Sequence, residues 1–95
     1  MVILQIEHPV NSFEEWKQAF DNDPAGRQRS GVLRYRILRP IDNPNYVIIE
    51  LEFDNVNQAQ GLLTMLRNNV WSRVQGSLID APQARIVEMI EGVEY

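Results

Sequence analysis

One stretch constrains this chain more than any other: the run VLRYRILRPIDNPNYVIIELEF from Val32 to Phe53. Both of its arms alternate in period 2, as half-buried strands do. In the first arm Leu33, Tyr35 and Ile37 share a face, with Val32, Arg34, Arg36 and Leu38 opposite. In the second, Val47, Ile49, Leu51 and Phe53 share a face, with Tyr46, Ile48, Glu50 and Glu52 opposite. Pro40, Asp42, Asn43 and Pro44 supply a turn between them, because proline presets φ and a short polar side chain imitates a turn. Only one register satisfies both arms. It sets Arg36 against Glu50, Arg34 against Glu52 and Leu38 against Ile48, while Ile37 meets Ile49, Tyr35 meets Leu51 and Leu33 meets Phe53. A slip of one residue would bring arginines against leucines, so the pattern specifies the pairing. Each opposite-charge pair adds roughly 0.2–1 kcal/mol. The sheet is expected to have one apolar face and one mixed, charged face.

The flanking segments build a domain around this hairpin. Val2, Leu4 and Ile6 alternate with Ile3, Gln5 and Glu7, which predicts a strand over residues 2–8 with His8 closing its apolar face. Ser12 opens Ser-Phe-Glu-Glu, the signature of a capping box with Glu15. Phe13, Trp16 and Phe20 follow as one helical stripe, and Asp23-Pro24 ends or kinks the helix. The segment from Pro24 to Gly31 has room for one more helical turn. After Phe53, Asp54 or Asn55 can cap a second helix whose stripe is Val56, Ala59, Leu63, Leu66 and Val70, running to about Trp71. Gly61 inside it costs about 1 kcal/mol relative to alanine, a cost that suggests close approach to a neighbour. A loop with Gly76 and Pro82 leads to a last strand over Ala84–Glu91. The order β-α-β-β-α-β is the split βαβ, ferredoxin-like pattern, and right-handed crossovers put both helices on one face of a four-stranded antiparallel sheet. At 95 residues and 44% hydrophobic, the chain has room for one domain over residues 1–95.

Composition narrows the function classes. With no cysteine there is no disulfide, no thiolate nucleophile and no Cys-ligated metal. One histidine and no Asp-rich loop leave no metal site to expect. A formal charge of −4 has the wrong sign for binding nucleic acid through its phosphates. The apolar start lacks a basic n-region and stops at Glu7, and no run approaches membrane-spanning length, so the cytoplasm is the expected compartment, with no membrane partner.

Two runs carry a resemblance: HPVNSFEEWKQAFDNDPAGR, and GVLRYRILRPIDNPNYVIIELEF. They resemble small bacterial proteins of the dimeric α/β-barrel superfamily, cyclase-like or antibiotic-biosynthesis-monooxygenase-like, over most of the chain up to about Trp71. The resemblance implies a homodimer in which two ferredoxin-like subunits pack sheet against sheet. It also implies a ligand pocket between helices and sheet in the oxygenase members. No oxygenase residue set carries over by motif, and no cofactor is called for. Some members degrade haem using Asn, Trp and His; Asn68, Trp71 and His8 supply those types without the motif spacing.

The candidates for chemistry are few. His8, at a strand end on the apolar face, has the chemistry of a general base, though a hydrogen-bonding side chain at a strand terminus is the commoner role. Tyr35 offers a hydroxyl from the sheet floor, and Trp71 either caps the core or walls a pocket. These three form the candidate ligand pocket. Arg34, Arg36, Tyr46, Ile48, Glu50 and Glu52 form the candidate dimer seam; the four charges read as a cross-strand ladder rather than a catalytic cluster, because each acid has its own arginine. The expected function is a homodimeric binder of a small apolar or aromatic ligand, or an interaction domain. The alternative is a cofactor-independent monooxygenase or cyclase acting on an aromatic or polyketide-like substrate.

Overall fold

A computed structural model describes all residues from Met1 to Tyr95. The elements run β1 (Val2–Pro9), α1 (Phe13–Asp21), β2 (Arg34–Leu38), β3 (Tyr46–Phe53), α2 (Val56–Met65), a π-helical segment (Leu66–Trp71), a single turn α3 (Ser72–Val74) and β4 (Gln83–Glu88). The four strands form one antiparallel sheet in the order β2-β3-β1-β4. This is the ferredoxin-like βαββαβ fold, with the strand that opens the chain at the sheet's centre.

The hairpin adopts the register that its alternation demands. Arg34 faces Glu52, Tyr35 faces Leu51, Arg36 faces Glu50, Ile37 faces Ile49 and Leu38 faces Ile48. The Asn43 side chain accepts from the Asn45 N–H at 3.0 Å, so the turn is closed by the short polar side chain that the sequence places there. Gly31 enters the hairpin at φ +99, where the Gln58 side chain lies so close that an added Cβ would come within 2.7 Å of it. Only glycine meets both conditions without strain.

The inner face carries Leu4, Ile6 and His8 from β1 with Val47, Ile49, Leu51 and Phe53 from β3, all buried. Trp16 of α1 and Ala59, Leu62 and Leu63 of α2 pack on it to complete the core cluster. Both helices start on side-chain caps: Ser12 accepts from the Glu15 N–H at 3.3 Å, and Asn55 from the Gln58 N–H at 2.9 Å.

Several local expectations are corrected. The last strand stops at Glu88 rather than Glu91, because its partner β1 begins at Val2, which pairs with Glu88; Ile90 is left 84% exposed. Residues 24–31 form turns, not helix: Asp23 (φ 53), Gly26 (φ 66) and Gly31 lie in the left-handed region. Gly61 approaches nothing, since a Cβ there would meet no atom within 4 Å. Leu33 and Tyr35 face inward but remain 48% and 43% exposed, because β2 is an edge strand. The second helix does not stay α to Trp71. Its last six residues wind as a π-helix.

Candidate functional site

Between the helices and the sheet lies an apolar cavity of about 130 Å³. Ile6, Ile49 and Leu51 form its floor on the two central strands, and Trp16, Ala19 and Phe20 of α1 form one wall. Leu62 of α2 and Leu66, Val70 and Trp71 of the π-helix form the facing wall, closed by Val74, Leu78 and Ile79. Asp23, Pro24, Ala25 and Arg27, from the turns after α1, make the rim. Most of the floor and walls belongs to the hydrophobic core or packs against it, and the cavity is the part of the core that the side chains leave unfilled.

The π-helix shapes one wall. In an α-helix, residues 66 and 71 point about 140° apart. The i→i+5 hydrogen bonding of a π-helix instead sets residue 71 over residue 66. Leu66, Val70 and Trp71 therefore face the cavity together. Such segments persist where the direction of a side chain matters more than the small gain of regular winding.

At the rim, Arg27 and Asp23 are the only ionisable groups that line the cavity. The Arg27 guanidinium lies 3.8 Å from the centre of the Phe20 ring and 5.0 Å from that of Tyr35. Its Nη1 donates to the Phe20 carbonyl at 2.7 Å and lies 3.4 Å from Asp23 Oδ1. That carboxylate oxygen accepts from the Arg27 backbone N–H at 2.9 Å, so Asp23 chiefly ties down the turn.

The three residues singled out from the sequence fall in different places. Trp71 is 8% exposed and lines the cavity. His8 is buried on the inner face opposite Val47, with its ring edge-on to Trp16 at 6.0 Å, and is not part of the cavity wall. Its Nδ1 lies 3.0 Å from the Pro9 carbonyl, which favours the tautomer with the proton on that nitrogen. Burial holds its pKa below the ordinary 6.5, against the smaller raising effect of that hydrogen bond. Tyr35 packs edge-on against Phe20 at 5.2 Å and lines an outer groove with Arg27, Val32, Leu33 and Arg34 instead. Trp16, Phe20 and Arg27 at the cavity were not singled out for a site. The Asp23 and Arg27 pair, four residues apart, was the available signal.

On the outer face of the sheet, Arg34 pairs with Glu52 at 2.9 Å and Arg36 with Glu50. Gln5 donates to Glu50 at 3.1 Å and accepts from Arg85 at 3.0 Å, which extends the row across all four strands. The Tyr46 hydroxyl donates to Glu7 at 2.7 Å, a bond to a carboxylate that raises the phenol's pKa. Ile48 and Leu38 lie opposite one another between these polar rows. Gln5, Glu7 and Arg85 were missed because the hairpin alone does not reveal which strands flank it. No three His, Cys, Asp or Glu side chains gather as a metal-binding group, and no helix is long and apolar enough to cross a membrane.

The sequence matches no protein-family model and no curated protein. Solved structures do share the fold. One is a cofactor-independent oxygenase, SnoaB, from Streptomyces nogalater, with a TM-score of 0.78 at 14% identity over 99% of this chain and 97% of that one. A candidate antibiotic biosynthesis monooxygenase from Nitrosomonas europaea matches with a TM-score of 0.72 at 16% identity, over 96% of this chain and 100% of the other. A dimeric ferredoxin-like protein from an uncultured marine organism matches with a TM-score of 0.71 at 8% identity, over the whole of both chains. These are the kinds of protein that the hairpin and first helix resemble. At such identities the likeness is one of fold.

Proposed function

We propose that this protein is a homodimer, built by apposition of the outer sheet faces, whose inner cavity binds a small apolar or aromatic molecule. The observation that carries the reading is the cavity: 14 of its 17 lining residues are hydrophobic, and it lies where the strands and helices of one chain should otherwise have closed the core. Natural cores pack to the density of organic crystals, so a void of this size is a cost unless it is used. An apolar cavity of about 150 Å³ stays dry and accepts a benzene ring. The present one is of that order. The dimer rests on the outer face, where Leu38, Ile48 and Tyr46 lie among paired charges, and on the dimeric protein of the same fold.

Binding is favoured over the alternative of a cofactor-independent oxygenase or cyclase. The ionisable groups at the cavity, Asp23 and Arg27, neighbour each other, and His8 is turned to the Pro9 carbonyl behind Trp16. Neither arrangement sets a general base against the cavity's interior. The likeness to an oxygenase of the same fold is what keeps the catalytic reading in view.

Both tryptophans, Trp16 and Trp71, border the cavity, so intrinsic fluorescence reports on its contents. Titration with toluene should change the emission saturably. Val70→Phe, which fills the cavity from the π-helix, should abolish the change while leaving the circular dichroism spectrum intact. A linear, unsaturable response in wild type, or an unaltered response in Val70→Phe, would remove the cavity as the binding site.

A further inference from the structure

We infer that the cavity's ligand is a single-ring carboxylate, its ring enclosed by the apolar walls and its carboxylate held at the rim by Arg27. The inference rests on the binding role proposed above and adds the chemical class.

Size sets the first limit. At about 130 Å³ the cavity admits one six-membered ring and not a fused ring system. Charge sets the second. Arg27 and Asp23 belong at once to the apolar cavity and to the outer groove lined by Gln28, Val32, Leu33, Arg34 and Tyr35, so both stand where the two meet, and of the two Arg27 has the unengaged donors. A ligand whose ring fills the cavity has its substituent at that junction.

The guanidinium is held ready there. Stacking on Phe20 at 3.8 Å and proximity to Tyr35 fix its plane, and the Nη1 bond to the Phe20 carbonyl fixes its rotation. Only Nη1 is engaged in hydrogen bonding; Nε and Nη2 make none. Arginine presents five donors in a rigid fork that matches a carboxylate in two parallel bonds. The side chain is 17% exposed, so a bond formed there is weakly screened. Asp23 is the one negative charge nearby, at 3.4 Å from Nη1, and its Oδ1 is occupied by the Arg27 backbone N–H. It lies beside the engaged nitrogen, not the open edge. Arg34 in the same groove adds a second positive group, itself paired with Glu52.

Three probes share one ring and differ in charge: benzoate, benzyl alcohol and benzylamine. Calorimetric titration of the wild-type protein should give benzoate an affinity about tenfold or more above benzyl alcohol, the usual advantage of a charge-assisted hydrogen bond. Benzylamine should bind weakest. The benzoate advantage should shrink as salt is raised. Arg27→Gln should bring benzoate to within about twofold of benzyl alcohol and leave benzyl alcohol itself unaffected. Arg27→Lys keeps the charge without the fork and should retain part of the advantage. Asp23→Asn, which keeps an acceptor for the Arg27 backbone N–H, should tighten benzoate.

Equal affinity for benzoate and benzyl alcohol in wild type would overturn the carboxylate assignment while leaving the cavity as a binding site. Tightest binding by benzylamine would reverse it, with Asp23 as the recognising group. Failure of all three probes to bind would overturn both this inference and the binding role beneath it. If Arg27→Gln does not fold, the wild-type ranking and the Arg27→Lys variant decide the matter alone.

Discussion

Replacing Trp16 by alanine tests how much of the fold depends on the wall that α1 presents to the sheet. The ring is 5% exposed and makes tilted or edge contacts with His8 at 6.0 Å, Phe13 at 5.8 Å and Phe20 at 5.2 Å. A buried tryptophan hides roughly 150–250 Å². At about 25 cal/mol per Å² this corresponds to roughly 4–6 kcal/mol of transfer free energy. Alanine keeps part of that area, and part of the ring already borders a void, so it has fewer contacts to lose there. The expected loss is therefore about 3–4 kcal/mol, within the range for large aromatic residues truncated in cores. That is much of the stability of a small domain. With a urea m-value of about 1–1.5 kcal/mol per molar, the midpoint should fall by roughly 2–4 M. The variant also has a larger hole of the indole's own shape. Added indole should bind it, stabilise it by about 1.4 kcal/mol at ten times its dissociation constant, and so raise the midpoint again. A midpoint within a few tenths molar of wild type would refute the placement of Trp16. A large loss that indole does not rescue would mean that the walls collapse when the ring is removed, and are not rigid enough to hold a ligand site.

Other consequences follow from the same geometry. Glu50→Gln removes the charge facing Arg36; Glu50 is 16% exposed, but the Arg36 side chain is 63% exposed in the single chain and stays solvated when left alone, so the monomer should lose only about 1 kcal/mol. If the partner's sheet covers the pair, dimerisation should weaken by ~3–5 kcal/mol and largely recover in the double variant Arg36→Met with Glu50→Leu; sedimentation equilibrium of the three proteins measures this, and an unchanged dimer would place the seam elsewhere. Burial lowers the pKa of His8 in the fold, whereas in the unfolded chain it takes up a proton below about 6.5. Stability should thus fall as pH drops below that value, and His8→Leu should flatten this part of the profile; parallel urea midpoints at pH 7.5 and 5.5 would show the same drop in both proteins if His8 were charged in the fold. Deleting Asn68 removes the extra residue of the π-helix and should restore regular α winding; Trp71 then lies four residues from Leu66, on the same helix face, so secondary structure and toluene-dependent fluorescence should both be retained. Loss of that response with the helix intact would show that the extra residue of the π winding is not what sets Trp71 beside Leu66.

The hairpin register was legible because two independent patterns agree on it. Alternation alone permits slips of two residues, and only one of those choices sets Arg34 and Arg36 against Glu52 and Glu50. The burial of Trp16 was legible for the same reason, as the centre of a helical stripe. The exposure of Tyr35 was not. Strand order puts β2 at the edge, and nothing within the β2 sequence reports on that. Nor was the π-helix, since Leu66 and Val70 fit an α stripe equally well and the winding is settled by what Trp71 packs against. The cavity is hardest of all to read from a sequence. Its walls are ordinary core residues, and a void is a property of how they meet, not of which they are. Arg27 lay in a stretch where proline and glycine erase periodicity, so its stacking on Phe20 depends on a chain path set by Asp23, Gly26 and Gly31 at positive φ.

The central claim is that the space between α1, the π-helix and the sheet takes up a small apolar ring. The chain has two tryptophans, and both border that space, so a ¹H–¹⁵N correlation spectrum offers two indole N–H signals as direct witnesses. On addition of toluene both signals should shift together along one saturable curve, while backbone signals of the outer-face residues Gln5, Arg36 and Glu50 stay in place. If neither indole shifts, or if the outer-face signals move instead, the ligand is not in this cavity and the account is wrong.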